Sequence, residues 1–227
     1  MSAPDDRVLA IMMKAPRAGQ VKTRLAGAHS PDEILNLYRA LVEDTIDLSR
    51  RMGVRTVAMC PAGDETPLAQ WLPRDVDVVP QRGVGLAEAL RTTFEQLCAD
   101  RQRRVIAFNA DSPHLSAGAL QAAFDALLTA DLVVGPCDDG GYYLVGAKRP
   151  YDDLFDATAL GRKSACELLL AAAARRNLRV VLSERHYDID LPDDLVRLAR
   201  ELTHDPKRAP RTAALLASWA LAREAGS

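Results

Sequence analysis

Short apolar runs rich in β-branched residues alternate along the chain with longer stretches in which apolar residues recur at helical spacing. The first run, 8–13, is apolar at every position, as expected for a central strand that helices cover on both faces. This alternation is typical of βαβ units and predicts an α/β protein with a mainly parallel sheet. The predicted strands are 8–13, 54–59, 76–79, 104–108, 132–135, 142–145 and 178–182.

Capping signals place helices between these strands. Ser30, Pro31 and Glu33 form a capping box with proline at the first helical position, and Gly53 ends that helix. Further helices are predicted at 65–72, in the segment from 81, from 116, at 163–176, from 192 and at 212–223. We expect one domain over 1–227, with the helix at 212–223 as an appended element whose Trp219 and Leu221 suit either homodimer formation or intramolecular docking.

The composition restricts the classes of partner. The 227 residues are 48% hydrophobic and 26% charged, and no run of 18 apolar residues is present, so a transmembrane helix and a disordered chain are disfavoured. A net charge of -2 argues against nucleic-acid binding through phosphate neutralisation. Four widely spaced cysteines without a CxxC pair, and a start without signal-peptide features, predict a reduced cytoplasmic chain without structural zinc.

Polar clusters follow five of the predicted strands. They lie at 14–24, 81–85, 109–113, 137–141 and 188–194. Because ligands of α/β sheets bind beyond the carboxyl ends of the strands, this placement predicts one site. The histidines form no spaced ligand set and are expected at the surface or in turns, although His114 is a candidate for lining the pocket. No GxSxG motif is present, which disfavours nucleophilic hydrolase chemistry.

The first cluster is basic. Lys14, Arg17, Lys22 and Arg24 surround Gly19 in a predicted strand-to-helix loop. Four cations in so short a loop suit a di- or triphosphate, and a glycine lets backbone amides approach the phosphate oxygens. The alternative is a solvated basic loop, and the spacing is not that of a Walker A motif.

Carboxylates follow the later strands. Asp111 lies just after an apolar strand, and Asp188 and Asp190 share a short acidic stretch. Such carboxylates can hold Mg²⁺, although Asp111 could equally cap a turn. Asp193 and Asp194 are expected to favour the N-terminus of the following helix.

The string 138–141 (DDGG) has two interpretations. It is a strong signal for a tight hairpin turn. Alternatively, Gly140 and Gly141 permit close approach of a sugar or nucleoside, and an aspartate accepts hydrogen bonds from its hydroxyls.

The strings KAPRAGQVKTRL, NADSPHL, GPCDDGGYYLVG and YDIDLPDDL resemble a bacterial family of glycosyltransferase-like proteins long known as a domain of unknown function. The resemblance extends from about 8 to 198. It implies the three-layer, Rossmann-like fold of the nucleotide-diphospho-sugar transferases (GT-A), with a mainly parallel mixed sheet. The wider superfamily includes the molybdenum-cofactor and phospholactate guanylyltransferases.

The same resemblance implies roles for individual residues. Contacts to nucleotide phosphates are implied for Lys14, Lys22 and Arg24, and contacts near the nucleoside for Gln81, Gly85 and Leu86. Asp111 would be the principal ligand of Mg²⁺ or Mn²⁺, and Asp190 the second. The chain departs from the family at Asn109, where members commonly have a small residue, and at 157–167, where they have a Trp-x-Thr element.

The residues and the resemblance leave three functions open. The basic loop suits a pyrophosphate leaving group and favours a nucleotidyltransferase that acts on a nucleoside triphosphate and a small phosphorylated acceptor. The first alternative is a glycosyltransferase with a nucleotide-sugar donor, for which Asp139 is the candidate base. The second is a nucleotide-binding protein without turnover. Neither the nucleobase nor the acceptor is specified by the residues.

Overall fold

The computed structural model describes residues 5–98, 103–110, 112–151, 153–155 and 164–225, with side chains up to 221. Its strands are β1 (Arg7–Met12), β2 (Arg55–Cys60), β3 (Asp77–Pro80), β4 (Arg104–Asn109), β5 (Leu132–Pro136), β6 (Tyr142–Ala147) and β7 (Val180–Leu182). They form one sheet in the order β3-β2-β1-β4-β6-β5-β7. All neighbouring pairs are parallel except those of β6, which runs antiparallel to β4 and β5.

The prediction of an α/β fold with a mainly parallel mixed sheet is therefore confirmed. From β1 the chain winds outward to β2 and β3, and it then crosses back to β4 on the other side of β1. The carboxyl ends of β1 and β4, where Met12 pairs with Asn109, are thus a topological switch point. Ligands of open α/β sheets bind in the crevice at such a point.

The helices are α1 (Pro31–Arg51), α2 (Glu65–Trp71), α3 (Gly85–Cys98), α4 (Ala117–Ala126), α5 (Ala165–Arg175), α6 (Pro192–His204) and α7 (Pro210–Ala225). The capping box of α1 is present: the Ser30 side chain accepts from the Glu33 N–H, and the Glu33 carboxylate accepts from the Ser30 N–H at 2.7 Å. The last helix begins at Pro210 rather than at 212, because proline lacks only an N–H that the first helical turn does not need. No helix among the described residues is both long and apolar enough to cross a membrane.

Strand β1 is buried on both faces, as its continuous apolar run predicts. Leu9 and Ile11 belong to a core cluster with α1, α2 and α4. Val8 and Ala10 point to the opposite face and belong to a second cluster with α3 and α5. The sheet is therefore the middle of three layers. All four cysteines are buried and free.

A third apolar cluster packs α6 and α7 onto the outer side of α1. The carboxylate of Asp44, which is 0% exposed, accepts hydrogen bonds from the main-chain N–H and the hydroxyl of Thr212, both at 2.8 Å. The ring of Trp219 stacks on that of His29, with centroids 4.6 Å apart. Trp219 thus docks within the chain, whereas Leu221 is exposed.

Gly146 of β6 gives a test of the packing between the sheet and α4. A Cβ atom at this position would lie 2.6 Å from Val133 Cγ1 and 3.2 Å from Leu127 Cδ1, both in the buried core. We expect Gly146→Ala to lower the free energy of unfolding by about 1–3 kcal/mol, measured by urea denaturation.

Gly118→Ala is the matched control, because a Cβ atom there meets nothing closer than 3.8 Å. This helical substitution should leave stability unchanged or raise it by up to about 1 kcal/mol. Equal effects of the two substitutions would contradict the packing described for β6.

Candidate functional site

The basic loop after β1 is held at its start by two polar side chains. The hydroxyl of Tyr38 on α1 lies 2.9 Å from both the N–H and the carbonyl oxygen of Lys14. The buried carboxylate of Asp64 accepts from the N–H of Ala15 at 2.8 Å and forms an ion pair with Arg17. Arg17 therefore fastens the loop, while the Lys14 side chain lies exposed at the carboxyl end of β1.

The other end of the loop is held by Leu25, which is fully buried in the third cluster. Between these fixed ends, Gly19 has a φ of 73°, with open space where a side chain would be. Lys22 also has a left-handed conformation, with a φ of 47°, and it precedes the short 3-10 helix Thr23–Leu25. The backbone around Lys22 is thus constrained, which limits the positions of its side chain.

Lys22 and Arg24 share one carboxylate. Lys22 Nζ lies 3.0 Å from Asp190 Oδ1, and Arg24 Nη1 lies 3.0 Å from Asp190 Oδ2. The Lys22 side chain is only 5% exposed, whereas that of Arg24 is 68% exposed. The structure therefore brings two predicted site residues of the basic loop to a third, Asp190, that is more than 160 positions away in the sequence.

Asp190 belongs to a segment in which buried and partly buried residues alternate. Tyr187 and Ile189 are buried in the third cluster. Asp188 and Asp190 are partly buried and contact Asn109 at the end of β4 and Lys22 of the basic loop, respectively. Asp194 accepts hydrogen bonds from the N–H groups of Asp190 and Leu191, which confirms its predicted role at the helix N-terminus.

The sequence interpretation gave Asp188 as a carboxylate that could hold Mg²⁺, but it missed the hydrogen bonds that this residue makes. Its Oδ1 accepts from Asn109 Nδ2 at 2.5 Å and lies 3.4 Å from both Ser112 Oγ and Cys137 Sγ. These contacts come from the end of β4 and from the loops after β4 and β5, so Asp188 ties together three segments of the strand edge. In the string Asp188-Ile189-Asp190 the two aspartates flank one apolar residue, and this pattern could have indicated that both point toward the strand ends.

The segment 137–141 forms a turn between β5 and β6. Asp139 Oδ1 accepts from the Gly141 N–H at 2.8 Å, and Gly140 has a φ of 88°. The neighbouring Asp138 is paired with Arg197 at 2.8 Å. The hairpin-turn interpretation therefore describes the local structure, while contacts of Asp139, Gly140 and Gly141 with a ligand stay a prediction.

The predicted nucleoside segment follows β3. The main-chain N–H of Gln81 donates to the Cys60 carbonyl at 2.7 Å, and Gln81 Nε2 donates to the Met59 carbonyl at 3.2 Å. Gly85 begins α3 with a φ of 86°, and Leu86 is 50% exposed. These residues lie at the same edge of the sheet as Lys22, but β3 is two strands away from β1.

The donor set at the strand ends suits a hard divalent cation. Asp188 and Asp190 provide carboxylate oxygens, and Asn109 Oδ1 is buried without a hydrogen-bond donor among the described residues. Oxygen ligands of this kind are those that Mg²⁺ prefers. Asp111, the predicted principal ligand, lies outside the described residues. Within the part of the chain that the structure describes, no group of three His, Cys, Asp or Glu side chains has the geometry of a metal site.

Comparison with protein families gives a match over residues 46–162, more than half of the chain, to the family described as "Uncharacterized protein conserved in bacteria (DUF2064)". The chain belongs to this family. The resemblance inferred from the sequence motifs is thereby confirmed. The matched region includes β4 and the turn 137–141, whereas the basic loop and Asp190 lie outside it.

Two relatives extend the similarity over most of the chain. A 2-phospho-L-lactate guanylyltransferase from Methanocorpusculum labreanum is 28% identical over 178 residues, which are 78% of this chain and 76% of the relative. The crystal structure of a proposed nucleotide-diphospho-sugar transferase from Desulfovibrio desulfuricans G20 is 27% identical. It superimposes with a TM-score of 0.90 over 97% of this chain and 98% of that one.

A third protein shares the fold at lower identity. A nucleotidyl transferase from Methanothermobacter is 18% identical, with a TM-score of 0.57 over 87% of this chain and 98% of that one. The predicted nucleotide-diphospho-sugar transferase fold is confirmed, and so is the prediction of a transferase enzyme.

His114 lies in the turn after β4, as predicted for the histidines, but it is buried there. Its ring is 0% exposed, and its Nε2 lies 3.2 Å from His186 Nδ1. Burial lowers the pKa of His114 to about 2, and the neighbouring His186 adds to this effect. Burial also lowers the pKa of His186. The pair is therefore neutral and joins the loop after β4 to the segment that carries Asp188.

This burial predicts how stability depends on pH. Unfolding exposes His114 and returns its pKa from about 2 to its ordinary value of 6.5. The unfolded state then binds the extra proton, so stability is retained above pH 6.5 and lost as the pH falls below it. For this histidine we expect a loss of about 2 kcal/mol between pH 7 and pH 5.

Urea denaturation at several pH values checks this expectation. His114→Leu should have a smaller decrease in stability between pH 7 and pH 5 than the unmodified chain. His204→Leu, which replaces an exposed histidine at the end of α6, should retain the full decrease. Equal pH dependence in the His114 variant and the unmodified chain would contradict the assignment.

Proposed function

We propose that the protein is a Mg²⁺-dependent nucleotidyltransferase that uses a nucleoside triphosphate and a small phosphorylated acceptor and releases pyrophosphate. The observation that carries the proposal is the placement of Lys22 and Arg24 against Asp190 beyond β1, the strand that borders the switch point. A nearly buried lysine and a forked guanidinium on one loop suit the oxygens of a polyphosphate. The similarity to a guanylyltransferase supports this choice.

Each residue group has a role in this proposal. Lys14, Lys22 and Arg24 would stabilise the charge that collects on the pyrophosphate leaving group. Gln81, Gly85 and Leu86 would border the nucleoside, because they follow β3 at the same edge of the sheet. A phosphate acceptor is already anionic, so its attack on the α-phosphorus requires no general base.

Asp111 and Asp190 would hold the divalent cation, with Asn109 and Asp188 beside them. The bound ion would supply screening of negative charge on the α-phosphate. Asp188 would keep the loops after β4 and β5 in place through its hydrogen bonds to Asn109, Ser112 and Cys137.

A glycosyltransferase is the second candidate, because the Desulfovibrio structure that superimposes so fully is proposed to be a nucleotide-diphospho-sugar transferase. The same cations would then stabilise a nucleoside diphosphate as it leaves the sugar. An inverting reaction requires a base, for which Asp139 in the turn at 137–141 is the candidate.

A donor screen separates these functions. The protein is incubated with ATP, CTP, GTP, UTP or nucleotide sugars, with and without Mg²⁺, and its melting temperature is recorded. Pyrophosphate release is then measured with 2-phospho-L-lactate as the first acceptor. We expect stabilisation by a triphosphate, with GTP tested first. Stabilisation by a nucleotide sugar alone would favour glycosyl transfer, and binding without turnover of any donor would favour a non-catalytic protein.

Lys22→Met tests the polyphosphate role directly. We expect kcat/KM for the triphosphate to fall by about 10²–10³-fold, because the variant lacks the positive charge that stabilises the leaving group. Lys207→Met, in the exposed connection between α6 and α7, is the matched control and should retain full activity. Full activity of the Lys22 variant would remove this lysine from the site.

A further inference from the structure

The contacts of Asp190 conflict with its proposed ligand-bound role. Both of its carboxylate oxygens are engaged, Oδ1 by Lys22 and Oδ2 by Arg24, each at 3.0 Å. In the proposed function the same carboxylate binds a divalent cation, and the same two side chains bind phosphate oxygens. The ligand-free contacts and the ligand-bound contacts therefore use the same groups.

The backbone on both sides is fixed, so only side chains can change partner. Ile189 and Leu25 are both fully buried in the third cluster. The N–H of Asp190 donates to Asp194 at 3.0 Å. Lys22 and Arg24 thus stay near the strand ends whether they bind the carboxylate or a phosphate.

The low exposure of Lys22 requires a nearby anion. At 5% exposure its side chain is largely removed from water, and a buried charge without a counter-charge is strongly unfavourable. If a cation takes Asp190, a phosphate oxygen can take its place as a counter-charge of Lys22. Exchange of counter-charges thus keeps an anion beside Lys22, whereas simple breakage of the ion pair removes one.

We infer that Asp190 couples polyphosphate binding to divalent-cation binding by charge exchange. In the ligand-free protein Asp190 offsets part of the positive charge of Lys22 and Arg24 and competes with phosphate for both side chains. A divalent cation takes over the carboxylate, and the two basic side chains pass to the polyphosphate. This inference rests on the proposed function and adds to it a reason why the site takes a nucleoside triphosphate only together with the ion.

The experiment measures the dissociation constant of GTP by calorimetry, in EDTA and in Mg²⁺, at constant ionic strength. Inorganic tripolyphosphate serves as a probe without a base. The variant is Asp190→Asn, and the matched control is Asp193→Asn, which removes an exposed carboxylate three residues away. Circular dichroism verifies that both variants are folded.

In EDTA, Asp190→Asn should bind GTP about tenfold more tightly than the unmodified chain, a change of about 1.4 kcal/mol. In Mg²⁺ this advantage should disappear. The ratio of the affinity for GTP in Mg²⁺ to that in EDTA should therefore be about tenfold or more lower in the variant than in the unmodified chain. Asp193→Asn should keep the ratio of the unmodified chain. Unchanged or weaker binding by the Asp190 variant in EDTA, or an equal effect in the control, would overturn the inference.

The experiment separates failure of the proposed function from failure of the charge exchange. If the unmodified chain binds none of the four triphosphates in Mg²⁺, the proposed function and the charge exchange are both wrong. If it binds GTP and Asp190→Asn leaves the metal dependence unchanged, only the charge exchange is wrong.

Arg24→Gln provides a second test in case the Asp190 variant does not fold, because its side chain is largely exposed. Loss of this competing cation should make Mn²⁺ alone bind several-fold more tightly, as measured by electron paramagnetic resonance. Unchanged or weaker Mn²⁺ binding would contradict the exchange.

Discussion

The ion pairs of Asp190 depend on apolar packing that lies outside the site. Leu25, at the end of the basic loop, and Ile189, next to Asp190, belong to the same buried cluster as residues of α1 and α6. Burial of each such side chain contributes roughly 1.5–3 kcal/mol, whereas an exposed ion pair contributes about 1 kcal/mol or less. The cluster therefore fixes the loop and the acidic segment, and the charges select partners within that frame.

The fold was predictable from the sequence because its signals are local. The continuous apolar run 8–13 identified the central strand, and Ser30 with Glu33 marked the start of α1. The sequence alone leaves the docking of α7 open. It depends on the buried contact between Asp44 and Thr212, which are 168 positions apart, and no local pattern distinguishes this aspartate from one in solvent. The burial of His114 was likewise not predictable, since only tertiary packing produces it.

The site was predictable in part. Lys22 and Arg24 follow β1 and Asp190 follows β7, and the rule that ligands bind beyond the carboxyl ends of strands predicts that they converge. Of the residues that hold the start of the basic loop, Tyr38 lies on α1, where no strand-end rule points to it. Asp64 lies in the short loop between β2 and α2, where an aspartate is equally expected at the start of a helix. The sequence shows Asp188 two positions before Asp190. Its hydrogen bonds to Asn109 and Cys137 depend on the pairing of distant strands and are not predictable from that spacing.

The choice between the two transfer reactions depends on which one needs a base. Both reactions release a phosphate-bearing leaving group that Lys22 and Arg24 can stabilise, so the need for a base adds a second criterion to that of the basic loop. An inverting glycosyl transfer additionally requires proton removal from a neutral hydroxyl. The candidate base, Asp139, already uses Oδ1 to accept the N–H of Gly141 within an exposed turn. An inverting glycosyl transfer would therefore depend on a carboxylate that already has a structural role in its turn, whereas an anionic phosphate acceptor needs no base, which favours the proposed nucleotidyl transfer.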